Sequence, residues 1–87
     1  MTSNDYARYA AAGELFGRLR DRLGFGDLVM FSKSPGVITY QWTYKARSDL
    51  YCQEFSVAFD VLAAYSANSL AFNISEQWKR KVQEESK

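Results

Sequence analysis

Histidine is absent from this chain of 87 residues. With it go the commonest general base, the commonest metal ligand and every histidine-dependent triad. Cys52 remains as a nucleophile by type, but no histidine is there to activate it. Its apolar sequence surroundings predict a small, buried, inert residue. The acids Asp49, Glu54 and Asp60 repeat no ligand spacing. No phosphate-cradling G-x-x-x-x-G-K-[ST] loop, dinucleotide G-x-G-x-x-G or C-x-x-C pair occurs. "GELFG" at 13–17 matches the G-x-x-x-G of paired membrane helices, yet its own helix is amphipathic and charged. The chain is therefore expected to be no enzyme, with no catalytic residue, no metal and no cofactor.

Binding is what remains, and two patterns offer it. In "GVITYQWTYKA", Gly36–Ala46, the residues Ile38, Tyr40, Trp42 and Tyr44 alternate with Thr39, Gln41, Thr43 and Lys45. Such a row is either a platform on which bases stack or the buried face of a sheet. A base platform interleaves its rings with lysine and arginine, which this row does not. The polar opposite face makes the rings the better core. Trp42 and the tyrosines still need partners for their polar atoms, so part of the row is expected at the core's edge. The protein-contact residues predicted there are Tyr40, Trp42, Tyr44, Lys45 and Arg47.

The second pattern is basic. Arg18, Arg20 and Arg22 lie near the end of a first helix, and Lys79, Arg80 and Lys81 lie on a last one. These six are the candidate phosphate contacts of an alternative, nucleic-acid-binding reading. Acids interrupt both groups. Asp21 falls inside the first, and Glu76–Arg80, Arg80–Glu84 and Lys81–Glu85 are spaced for pairs within a helix. Solvated helix faces are the simpler account. Side-by-side packing of the two helices would merge the groups into one patch.

The elements that carry these residues follow from periodicity. Residues 4–23 read as a helix, with Ala12, Leu15, Phe16, Leu19 and Leu23 on one face and Tyr9 a turn earlier. Ser3 or Asn4 is the expected cap, Asp5 sits in the first turn, and Gly24 is the stop. Gly13 and Gly17 each cost about 1 kcal/mol inside a helix, which predicts close approach of another backbone or a ring. Residues 28–33 read as a strand, "SPG" at 34–36 as a type II turn and 37–46 as a longer strand. The short first strand would leave 43–46 unpaired, so 50–57 is expected to cover them as a third strand. The same segment also fits a helix. Residues 58–68 read as helical with Phe59, Leu62 and Tyr65 inward. "NSLAFN" marks a break, and Asn73 with Glu76 suggests a capping box for a last short helix ending in a frayed "EESK".

The helix–strand–strand–strand–helix order resembles, in outline, a double-stranded-RNA-binding domain. That family opens its last helix with lysines. "SVAFDVLAAYSANS" contains none and carries Asp60, so no function carries over.

Length makes this one domain, 1–87, with a small core, and 16% aromatic residues help such a core reach stability. The fold class expected is α+β: an N-terminal helix, an antiparallel hairpin or three-stranded meander, then one or two helices on one sheet face. The net charge of +1 steers the chain to neither nucleic acid nor anionic membrane. One cysteine cannot form an internal disulfide, and no signal or membrane span is visible, so a cytoplasmic location without a membrane partner is expected. Beginning at Met1, the chain reads as a complete small gene product. By elimination its function is a non-catalytic protein–protein interaction module, a small steric inhibitor or adaptor of the type phages and mobile elements encode. Its partner is a protein of unknown identity. An unpaired far half of the second strand would instead pair with its own copy in a homodimer.

Overall fold

The computed structural model describes residues 3–85, with side chains described over 7–85. Helix α1 (Ser3–Leu23) leads into a three-stranded antiparallel sheet of β1 (Asp27–Ser34), β2 (Val37–Ala46) and β3 (Asp49–Ala58), and helices α2 (Phe59–Ala64) and α3 (Ala67–Glu85) follow. The sheet order is β1-β2-β3. The fold is thus α+β, as the alternating and helical periodicities predict. Among the described residues no helix is long and apolar enough to cross a membrane.

The ring row faces inward. Tyr40 and Trp42 have no exposed surface and Tyr44 has 2%. The two long helices lie side by side over this face. Tyr40 donates its hydroxyl hydrogen to the carbonyl of Ala12 on α1 at 2.7 Å. On the α3 side, Trp78 stacks on Trp42 with ring centroids 5.7 Å apart. Leu15, Leu19, Ala71 and Ile74 fill the space between the helices and the sheet. Burying large rings against two helices is how so short a chain gathers enough apolar contact.

The segment that fitted both patterns is a strand. β3 pairs with β2 along its whole length, from Val37 opposite Ala58 to Ala46 opposite Asp49. Gln53, the polar exception on the inward side of β3, is satisfied: its amide donates to the Tyr44 hydroxyl at 2.9 Å and the Trp78 carbonyl at 3.2 Å. β3 supplies the expected partner for 43–46, which pair with Cys52 to Asp49. β1 pairs only from Asp27 opposite Thr43 onward, so 44–46 lack a partner on the β1 side. β3 occupies the other edge of β2.

Several local expectations are corrected. The break falls at Tyr65–Ser66 and not in "NSLAFN", which lies inside α3. Continuing the helix there adds Leu70 and Ala71 to the stripe of Ile74, Trp78 and Val82. The carbonyl of Ser66 accepts the first helical bond, from Leu70 N at 3.1 Å, so Ser66 stands at the N-cap and Asn73 is interior. Tyr65 is 61% exposed and Tyr9 57%, so neither is core, although Tyr9 meets Phe59 edge-on. Nothing lies within 4 Å of a Cβ built on Gly13 or Gly17, so no close approach among the described residues explains them. Cys52 is exposed, because it stands opposite Thr43 on the sheet face that no helix covers. Glu84 and Glu85 belong to α3. Capping by Ser3 or Asn4, the place of Asp5, and the end of the tail at 86–87 lie outside the described side chains.

Candidate protein-contact site

The β2–β3 hairpin turns in two residues. Arg47 and Ser48 both have positive φ, 54° and 71°. A two-residue hairpin of this hand asks for positive φ at both central positions, where glycine and asparagine are the easy choices. An arginine and a serine there hold mild backbone strain, a state that tends to persist where side-chain identity matters.

Beside this tip lies a groove of about 360 Å³. Its walls include Phe25, Asp27, Thr43, Lys45 and Leu50, and its floor is the stretch of β2 left unpaired where β1 begins. Leu50 is 68% exposed and Phe25 half exposed. Phe25 is nonetheless fixed. Its ring meets Trp42 and Tyr44 edge-on, at 5.2 and 6.4 Å, and its carbonyl accepts the Trp42 indole hydrogen at 2.8 Å. The adjoining Gly26 has φ 78°, and a Cβ there would lie 2.7 Å from the Thr43 carbonyl oxygen. Only glycine lets the chain pass this close to β2, and that passage sets Phe25 at the groove.

The five predicted contact residues divide. Lys45 lines the groove and is exposed, and Arg47 is at the adjoining tip and exposed. Tyr40, Trp42 and Tyr44 are core, and their burial removes their rings from any contact surface. Tyr44 donates to the Glu85 carboxylate at 2.5 Å and accepts from Gln53. Burial first, and the Glu85 hydrogen bond second, push its hydroxyl up to about 12. Burial raises Tyr40 well above the ordinary tyrosine range.

The basic groups stay apart. Arg22 lies over the Phe72 ring, 4.9 Å from its centroid, and Arg18 and Arg22 flank Asn68. The end of α1 therefore meets the start of α3, while Lys79–Lys81 lie at least about 10 Å farther along the axis of α3 at 1.5 Å per residue. Arg18 pairs with Glu14 at 3.4 Å and Arg20 lies over Phe16.

The uncovered sheet face carries a polar network. Lys33 donates to Glu54 at 2.9 Å, Gln41 donates to the other Glu54 oxygen at 3.0 Å, and Thr39 and Ser56 share a 2.9 Å bond. The Lys33 bond, aided by Gln41, holds the Glu54 carboxyl below its usual range. Among the described residues no group of three His, Cys, Asp or Glu is placed to hold a metal ion.

Leu50 and Phe25 were not among the predicted contacts. Each had a signal. Leu50 takes the parity opposite Tyr51 on β3, and a phenylalanine between two glycines in "GFGD" has no neighbours in sequence to bury it. No protein-family model matches this chain, and no curated protein or solved structure matches it.

Proposed function

We propose that the protein is a non-catalytic protein–protein interaction module that contacts its partner through the β2–β3 hairpin tip and the adjoining groove. One observation carries the reading: Leu50 and a rigidly held Phe25 stand open to solvent in one groove, with Lys45 on its wall and Arg47 at the adjoining tip. A fixed aromatic anchor costs little entropy on binding, and Phe25 with Leu50 favours a partner surface that is apolar at its centre, its polar rim met by Lys45, Asp27 and Arg47. The mode of action is steric, the hairpin covering a working surface of the partner in the manner of a small inhibitor or adaptor. A lone cysteine without an internal partner suits a reducing compartment, and we place the protein in the cytoplasm.

The test is affinity capture from cell lysate with the intact protein, beside Leu50→Asp and Phe25→Ala. Partners retained by the parent after nuclease treatment and lost by Leu50→Asp support the reading. Loss of all captured material on nuclease treatment, with weakening by Arg18→Ala and Arg22→Ala instead, refutes it in favour of nucleic acid. Circular dichroism of each variant shows that the fold persists.

A further inference from the structure

β1 is an edge strand, and its outer side is not paired among the described residues. It exposes Val29 and Met30 at 47% and 40%. An apolar edge of this kind is a template for another strand. We propose that the strand which fills it is β1 of a second copy, in an antiparallel pair about a two-fold axis at Met30.

The register follows from the sequence of the edge. With Met30 opposite its own copy, Val29 faces Phe31 of the other strand and Leu28 faces Ser32. Asp27 then faces Lys33, at both ends of the pair. Asp27, Val29 and Phe31 share the face that no helix covers, since their partners in β2 are Thr43, Gln41 and Thr39. Lys33 points to the same face, where it reaches Glu54. Opposite charges at both ends, with Val29, Met30 and Phe31 at the centre, make the strand complementary to itself, which a two-fold contact requires. In the dimer the Lys33 side chain turns from Glu54 towards Asp27 of the second copy. β3, the other edge, lacks this property: it carries Asp49 and Glu54 and no basic residue, so pairing with itself brings acids together.

The helices fit the same arrangement. α1 lies over β1 and β2: Ala12 meets Tyr40, and Arg20 shares a groove with Leu28. Strands about 4.8 Å apart then place the two copies of α1 about 10 Å apart, an ordinary packing distance. Gly13 and Gly17, four apart on α1, have open space beside them. Asp27 also lines the groove beside the hairpin tip, so the dimer is tested by its oligomeric state, which needs no partner in that groove.

Sedimentation and light scattering of the full chain from micromolar to millimolar concentration test it. The parent dimerises. Asp27→Lys and Lys33→Asp alone each weaken the dimer at least about tenfold, and the two together restore it. In a Cys52→Ser background, Met30→Cys yields a disulfide-linked dimer on mild oxidation, and Asp27→Cys, far from its own copy, does not. A parent that stays monomeric throughout overturns the proposal. So does a double reversal that fails to restore the dimer while circular dichroism shows native fold, or equal cross-linking at both cysteine positions.

Discussion

Glycines in this chain do opposite things, and their surroundings separate them. Gly26 holds φ at 78° with the Thr43 carbonyl in the way of any Cβ, whereas Gly13 and Gly17 have open space inside a helix. Gly26→Ala should therefore destabilise the protein by roughly 1–3 kcal/mol, while Gly17→Ala should stabilise it by about 1 kcal/mol. Urea unfolding of the two variants beside the parent gives both signs. Trp42 is the other decisive residue. It has no exposed surface, stacks on Trp78 and donates to the Phe25 carbonyl. Trp42→Ala should remove roughly 3–5 kcal/mol, enough to unfold much of a domain this small. An unchanged melting temperature would contradict the packing described.

At the scale of elements, the β2–β3 hairpin is held in place by its register more than by its turn. Ten residue pairs run from Val37–Ala58 to Ala46–Asp49, and the turn they share forces positive φ on an arginine and a serine. Ser48→Gly should raise stability by about 1 kcal/mol, read as a shift in thermal midpoint with the sheet's circular dichroism unchanged. A loss of partner capture in this stabilised variant would tie the strained tip to binding. The start of α3 follows similar logic. A helix begun after Ser66, with its apolar stripe extended back through Ala71 and Leu70, prevails over the local pattern at Asn73.

For the whole molecule, two tyrosine hydroxyls fasten the sheet to its helices, Tyr40 to α1 and Tyr44 to α3. Both are held above the ordinary value, Tyr44 to about 12, by burial first. In the unfolded chain each loses its proton near pH 10. Above that pH the unfolded state binds fewer protons than the native one, so stability is complete below about pH 10 and falls as pH rises towards 12. Each tyrosine contributes a slope of up to about 1.4 kcal/mol per pH unit over that window. Denaturant midpoints on either side of pH 10 should show the fall, and Tyr44→Phe should make it shallower.

Much of this was legible in the residues. Strict alternation through Tyr40, Trp42 and Tyr44 marked β2 from Val37 to about Ala46, and proline with glycine at 35–36 marked the turn before it. Helical spacing located Leu15 and Leu19, because that periodicity is written in adjacent residues. What the chain could not declare locally was decided by neighbours distant in sequence. Gln53 reads as a flaw in a strand until Tyr44 and Trp78 are seen to bond it. Cys52 reads as buried until β3 takes the parity that turns it to the bare face. Phe25 and Leu50 become a site only because β1 starts late and leaves the end of β2 open. Periodicity reports which side of an element is apolar, but exposure depends on what the other layers cover, and that is fixed only when the layers meet.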